Sequence, residues 1–272
     1  MSRLFRCFAD CRESGRKALI TFMTAGDPNP DATVPLMRAL VRAGVDALEL
    51  GVPFSDPMAD GPVIQAADER ALAAGMNLRK VLEMVREFRK DDNRTPVVLM
   101  GYLNPIEAMG YVRFAEEAAE AGVDGLITVD LPPEEGDDLL PELRARNIDP
   151  VFLLAPTTRP ERMRVICAGA SGFLYYVSLK GVTGAATLDV DAVAAKLREI
   201  REFTDLPVGV GFGIRDAASA ARVARVADAV VVGSALVTRV AEHRDDLDAL
   251  LASASALISD MRQAMDRGES AR

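Results

Sequence analysis

Histidine and tryptophan are the scarcest side chains of this 272-residue chain, which contains one histidine and no tryptophan. The single histidine, His243, stands in the polar stretch RVAEHRDD, where a solvated surface position is the default expectation. His-dependent catalytic triads and His-ligated metal sites are therefore excluded, and no metal site is expected. Any proton transfer must depend on carboxylates, tyrosine, lysine or cysteine.

Cysteines and long apolar runs are also few. Cys7, Cys11 and Cys167 form neither an even disulfide framework nor a zinc-type spacing, which favours reduced thiols in a cytoplasmic protein. No apolar run approaches the roughly 20 residues that span a bilayer, and the charged N-terminus does not resemble a targeting segment. We expect a soluble protein that does not bind a membrane.

Basic residues are fewer than acidic ones. The chain has 32 lysines and arginines against 41 acidic residues, which gives a formal net charge of −9. No basic stripe with interleaved aromatic residues appears, so nucleic acid is not an expected partner. An anionic small molecule stays possible if its charge is bound locally. The 49% hydrophobic content is enough for a large buried core.

Short apolar runs recur along the chain and predict its fold. The sequence AGVDALEL at 43–50 returns as AGVDGLIT at 121–128 and more weakly as VADAVVVG at 226–233. Five further runs bring the number of predicted strands to eight; they are ALITFMTA, PVVLMGY, PVFLLA, GFLYYVS and PVGVGFG. Most are followed by a helical pattern, which favours an α/β protein with a parallel sheet.

Eight parallel strands in about 250 residues predict a (β/α)8 TIM barrel, with residues 1–272 as one domain. A doubly wound sheet is the alternative, but its usual GxGxxG turn is replaced by TAGDPNPD after the first strand. Extra helices are expected at the N-terminus (3–14), after the second strand (62–74) and after the eighth (234–241).

Three carboxylates cluster in LELGVPFSDPMADGP, which begins at the second strand. Strand alternation places Leu48 and Leu50 on one face and Glu49 on the other, toward the barrel mouth. A buried carboxylate is costly unless its proton is used, so Glu49 is a candidate acid-base; pairing with an arginine is the alternative. Asp56 and Asp60 precede proline and glycine, as turn residues often do, and spacing alone leaves them equivalent.

Glycine-rich turns follow the last three predicted strands: GVTGA at 181–185, GFGIRD at 211–216 and GSALV at 233–237. Their exposed N–H groups, with a short helix beginning at Ser234, resemble the phosphate cradle of barrel enzymes. A single such turn needs no ligand to explain it. Three together predict a phosphorylated ligand.

These motifs resemble the α subunits of tryptophan synthase, from near the first strand to the last. The matching segments are LELGVPFSDPMADGPVIQ, TAGDP, GYLNP, GVDGLITVDLPPEE, GVTGA, GFGI and GSALV, in the family's order. The resemblance implies a retro-aldol lyase that cleaves indole-3-glycerol phosphate to indole and glyceraldehyde 3-phosphate. Glu49 matches the general acid-base and Asp60 the carboxylate beside the indole N–H.

The same resemblance assigns the remaining site residues. The indole pocket is expected to be walled by Phe22, Met100, Tyr102, Ile127, Tyr175 and Phe212. The phosphate site is expected at Gly184, Gly213, Gly233 and Ser234. Thr183 matches a closing-loop residue that helps to hold Asp60.

The resemblance further implies a partner, the tryptophan synthase β subunit, in an αββα assembly that passes indole internally for L-tryptophan synthesis. Contacts are expected through the loops after the second and third strands, including Pro53, Asp56, Asn104 and Pro105. Pyridoxal phosphate (PLP) is expected in that partner, and no cofactor in this chain.

Lys180 departs from the family's pattern, which more often has a small hydroxyl residue there. A Schiff-base sugar-phosphate aldolase using Lys180 is the alternative enzyme, since such barrels place a lysine near the sixth strand and Lys180 follows that strand closely. A non-catalytic, ligand-sensing partner subunit is the other alternative, although retention of Glu49 and Asp60 argues against it.

Overall fold

A parallel sheet curled into a nearly closed barrel forms the centre of the computed structural model, which describes residues 2–178, 189–211 and 213–269. The strands lie in the order β5-β4-β3-β2-β1-β9-β8-β7-β6, and every pairing is parallel. Their bounds are β1 Ala18–Thr24, β2 Ala47–Gly51, β3 Val97–Gly101, β4 Gly125–Thr128, β5 Asp149–Pro150, β6 Phe152–Leu154, β7 Leu174–Val177, β8 Val208–Gly211 and β9 Ala229–Val232.

Helices surround this sheet and follow most of its strands. Their bounds are α1 Arg3–Glu13, α2 Pro30–Arg42, α3 Pro62–Ala73, α4 Leu78–Arg89, α5 Leu103–Met109, α6 Tyr111–Ala121, α7 Leu140–Ala145, α8 Pro160–Gly169, α9 Val190–Arg201, α10 Ala217–Ala224, α11 Ser234–Glu242 and α12 Leu247–Glu269, with a 3-10 turn at Pro133–Glu135. None of the helices within the described ranges is long and apolar enough to cross a membrane. The predicted barrel is confirmed, including the three extra helices α1, α3 and α11.

The fifth predicted strand is present as two short pieces rather than one. Pro150 has no N–H to donate to the ladder, and the piece containing it, β5, pairs with β4. After Val151 the chain continues as β6, which pairs with β7. The barrel therefore has eight strand positions and one irregular seam.

Two layers of apolar side chains hold the barrel together. Leu48 and Leu50 pack outward in a large core that the surrounding helices share, whereas Ala47 points into a separate inner core. The inner core continues into α1, whose Phe8 ring lies 5.7 Å from that of Phe173. Helix α1 thus closes the amino-terminal end of the barrel and leaves the opposite end open.

Helix α5 was not expected. It occupies the segment after β3 that the sequence predicts as a loop, so Asn104 and Pro105 lie in its first turn. A proline is tolerated there, because the first N–H groups of a helix have no partner within the helix.

Candidate active site

A cavity of about 850 Å³ opens at the carboxyl ends of the strands. Its volume lies within the range of small-molecule sites. Residues from β1, β2, β3, β7 and β9 line it together with residues that follow β8; among them are Phe22, Glu49, Asp60, Met100, Tyr175, Gly213, Gly233 and Ser234. The structure therefore brings most of the predicted site residues to one place.

Glu49 lies at the bottom of this cavity, opposite Phe22 of β1 and Val98 of β3 in the strand register. Its side chain is buried, with 1% of the residue exposed, and neither carboxyl oxygen has a hydrogen-bond partner among the described residues. Burial, and secondly the charge of Asp60, raises the pKa of Glu49 to about 8. A glutamic acid in this position keeps its proton at neutral pH and can give it to a bound molecule.

Asp60 is the second carboxylate at the cavity wall, at the end of the loop that follows β2. The Tyr102 hydroxyl donates a hydrogen bond to Asp60 Oδ2 at 2.7 Å and accepts one from the Ala59 N–H at 2.9 Å. Burial raises the pKa of Asp60, and the hydrogen bond from Tyr102 opposes that rise. Asp60 is thus a hydrogen-bond acceptor held by Tyr102, and its pKa lies above the ordinary value.

Tyr175 projects from β7 into the same space. Burial, followed by the charge of Glu49, raises its pKa far above the ordinary value, so the hydroxyl stays protonated. A side chain at Gly211, on the neighbouring strand β8, would collide with the Tyr175 hydroxyl. Glycine at this strand position therefore makes room for the tyrosine.

The apolar walls agree only partly with the sequence-based expectations. Phe22 and Met100 line the main cavity, and a Cβ at Gly51 would come within 2.6 Å of the Phe22 ring. Ile127 is completely buried in the inner core and does not reach the cavity. Tyr102 lines a small adjoining cavity and reaches the site through Asp60.

The expected phosphate site is partly described. Gly213, Gly233 and Ser234 line the cavity, and Gly213 has a φ of +74°, which a residue with a side chain rarely adopts. Helix α11 begins at Ser234 and directs its N-terminus to this region. The remaining predicted residues Thr183, Gly184 and Phe212, and also Lys180, lie outside the described residues.

Several cavity residues were missed by the sequence reasoning. Gly61 and Ile64, at the beginning of α3, line the cavity, as does Arg215 after Gly213. The helical period of α3 could have indicated Ile64, since it recurs with Ala67 and Ala71 on one buried face of the helix. Arg215 brings a positive charge to the glycine turns. His243 ends α11 and does not line the cavity.

The loop expected to face a partner extends from β2 to α3. Pro53 is buried, Asp56 is exposed and accepts a hydrogen bond from Ser55 at 2.6 Å, and Met58 is 82% exposed. On the neighbouring helix α5, Asn104 is exposed and Pro105 is half-buried. The loop therefore exposes one large apolar side chain, Met58, beside polar residues.

Comparisons with known proteins agree with this geometry. A family model described as tryptophan synthase alpha chain matches residues 8–266. The tryptophan synthase alpha chain of Thioalkalivibrio sulfidiphilus is 68% identical over 266 residues, which cover 98% of this chain and 100% of that protein. That of Marinobacter nauticus is 61% identical over 266 residues, 98% of each chain.

Solved structures show the same relationship. The crystal structure of tryptophan synthase subunit alpha from Legionella pneumophila str. Paris superposes with a TM-score of 0.92 at 47% identity, covering 98% of this chain and 99% of that one. Tryptophan synthase from M. tuberculosis, in an aminoacrylate-bound form, gives 0.86 at 37% identity, covering 97% and 100%. The chain belongs to the tryptophan synthase alpha chain family, whose members cleave indole-3-glycerol phosphate to indole and glyceraldehyde 3-phosphate.

Proposed function

We propose that Glu49 is the general acid-base and Asp60 the charge-stabilising carboxylate of this retro-aldol reaction in the present chain. The observation that carries the proposal is the burial of Glu49 in the cavity with no hydrogen-bond partner among the described residues. A carboxyl group held in this way is costly to the fold, and an acid-base role explains why it is there.

The reaction can be followed through the proton of Glu49. Protonated Glu49 gives its proton to indole C3, which produces a cationic indolenine. The resulting carboxylate removes the proton from the side-chain hydroxyl next to the bond that breaks. That carbon–carbon bond then cleaves: its electron pair returns to the ring, the hydroxyl carbon becomes the aldehyde, and Glu49 is again protonated.

Asp60 acts on the charge that forms during this sequence. Protonation at C3 places positive charge on the indole nitrogen, and a carboxylate hydrogen-bonded to that N–H stabilises it. The hydrogen bond from Tyr102 supports this role, because it holds the Asp60 side chain in one orientation and favours its ionised form. Two acids in unlike surroundings thus supply two different functions.

The walls of the cavity suit the two ends of the substrate. Phe22, Met100 and Tyr175 offer an apolar surface to the indole ring, and the glycine turns with the N-terminus of α11 offer N–H groups to the phosphate. Thr183, Gly184 and Phe212 stay assigned by family resemblance alone. Arg215 adds a cation at the phosphate end.

The family implies a tryptophan synthase β subunit as partner. We propose that the two form an αββα assembly, that indole passes inside it, and that its pyridoxal phosphate belongs to the partner. The exposed Asp56, Asn104 and Met58 support a docking surface at the cavity mouth, with Pro53 and Pro105 shaping it. We also propose one barrel domain over residues 1–272 and a cytoplasmic location, which the three free cysteines support.

The decisive experiment measures indole release from indole-3-glycerol phosphate by the purified chain, with and without the β subunit. We expect release in both cases and faster release with the partner. Absence of indole even with the partner would establish a non-catalytic role. Borohydride trapping of a substrate adduct on Lys180, absent from Lys180→Ala, would instead establish Schiff-base chemistry.

A further inference from the structure

A third carboxylate, Asp68, is buried close to Asp60. It belongs to α3, and only 4% of the residue is exposed. The Thr24 hydroxyl, at the end of β1, donates a hydrogen bond to Asp68 Oδ1 at 3.3 Å, and the backbone N–H of Phe54 lies close enough to the same carboxyl group to lower its pKa. Asp68 therefore joins a strand of the barrel, a surrounding helix and the loop that leaves β2.

The loop bound by Asp68 is the one that carries Asp60. The Phe54 ring stacks on the ring of Tyr102, with centroids 5.1 Å apart and planes inclined by 28°. The Tyr102 hydroxyl in turn donates to Asp60 and accepts from the Ala59 N–H. A continuous series of contacts thus runs from Asp68 through Phe54 and Tyr102 to Asp60.

Asp60 and Asp68 are also close to each other in the folded structure. Asp60, Asp68 and Tyr102 line one small cavity of about 10 Å³, next to the main cavity. Burial, and secondly the charge of Asp60, raises the pKa of Asp68 to about 7, while the Phe54 N–H and the Thr24 hydroxyl oppose the rise. Such a buried carboxyl group destabilises the fold unless nearby donors compensate for the lost water. The donors here belong to β1 and to the loop after β2, so the carboxyl group holds that loop in position.

We propose that Asp68 is a positioning residue, which anchors Phe54 so that Tyr102 holds Asp60 in the orientation that the substrate requires. This inference rests on the proposed role of Asp60. Asp68 itself does not line the main cavity and is not expected to touch the substrate. Its loss should therefore affect turnover more than substrate binding.

The test compares Asp68→Ala with Asp68→Asn in the assembled enzyme with its β subunit. Alanine removes both acceptors, and we expect kcat to fall roughly ten- to a hundredfold while KM changes less than about threefold. Asparagine keeps an acceptor of the same shape, so it should restore most of the lost turnover. Equal losses in both variants, or a rise in KM with kcat unchanged, would overturn the proposal.

Two further variants separate positioning from simple destabilisation. Ala71→Gly lies in the same helix, is buried outside the site, and costs helix stability, so it should lower Tm while kcat stays near the wild-type value. In the Asp60→Asn background, Asp68→Ala should cost little additional turnover, because it acts through Asp60. If the losses of kcat from Asp60→Asn and Asp68→Ala were fully additive, Asp68 would not act through Asp60.

The same variants distinguish failure of this inference from failure of the proposed function. If Asp60→Asn turns over like the wild type, the role of Asp60 is wrong. If Asp60→Asn is impaired while Asp68→Ala is not, the role of Asp60 stands and only that of Asp68 falls.

Discussion

The two ends of the barrel bury carboxylates in opposite ways. At the amino ends of the strands, Asp124 accepts hydrogen bonds from Arg89 at 2.6 Å, from Arg3 at 2.9 Å and from the Val97 N–H at 2.9 Å. At the carboxyl ends, Glu49 has no such partner among the described residues. Both groups are almost fully buried.

This difference agrees with a structural role for Asp124 and with the acid-base role proposed for Glu49. Burial raises the pKa of Asp124 as well, but its donors oppose that rise, and the group ties α1 and α4 to the start of β4. The pKa of Glu49 is raised to about 8, and no hydrogen-bond donor among the described residues stabilises its negative form. Removing Glu49 should therefore damage chemistry, and removing Asp124 should damage stability.

Glu49→Gln should have the largest effect. The amide preserves shape but has no proton to transfer, so kcat for indole release should fall by about a thousandfold, within the range measured for general acid-base residues. Substrate binding should stay measurable by titration with the inactive variant, and Tm should not fall. Turnover like that of the wild type would remove Glu49 from the mechanism.

Asp124→Ala should have the next largest effect, and on stability. It leaves the buried Arg89 without its main partner, so the free energy of unfolding should fall by about 3–5 kcal/mol, as chemical denaturation would show. Turnover of the folded variant should stay near the wild-type value. The ion pair of exposed Arg113 with half-buried Glu117 offers a control, since Glu117→Ala should change stability little.

The titration of Glu49 gives a third way to compare the two ends of the barrel, through the pH dependence of kcat and of Tm. Because its protonated form is required, kcat should fall as pH rises through about 8. Stability should also fall as pH rises from about 4.5 to about 8, since over that window the folded state keeps a proton that the unfolded state has lost. Glu49→Gln should remove this loss, so its Tm should exceed that of the wild type at pH above about 8 and approach it near pH 4.5. Parallel pH profiles of Tm would contradict the assignment.

Arg215→Ala should have the smallest effect. Arg215 is exposed at the end of the cavity where we propose that the phosphate binds, and solvent weakens its attraction there, so KM should rise no more than about fivefold, on the order of 1 kcal/mol. The KM of the wild type should increase more steeply with salt than that of the variant. Arg222→Ala is the matched control, because Arg222 is exposed on α10 and does not line the cavity. Equal effects of the two substitutions would leave Arg215 without a specific role.

Local patterns predicted much of this molecule. Alternation in β2 predicted that Glu49 faces the inside of the barrel and that Leu48 and Leu50 face the helices. Successive side chains of a strand point to opposite faces, so a residue between two helix-facing leucines must point inward. The repeated apolar runs similarly predicted the barrel. Helix α5 and the seam at Pro150 were missed, since both depend on local backbone hydrogen bonding that apolar periodicity does not report.

Local sequence patterns could not predict the contacts between distant segments of the chain. The hydrogen bond from Tyr102 to Asp60 joins residues 42 positions apart, and the contact of Thr24 with Asp68 spans 44. Family resemblance named Tyr102 and Ile127 as walls of one pocket, but only the packed structure distinguishes a residue that holds Asp60 from one that fills the inner core. Side-chain partners over such distances are set by how the elements pack.

Helix α1 has a consequence for the passage of small molecules. Its Leu4, Phe8 and Cys11 fill the amino-terminal end of the barrel, so among the described residues the cavity opens at the other end. A protein bound at that end would therefore lie across the exit of any molecule released beside Glu49.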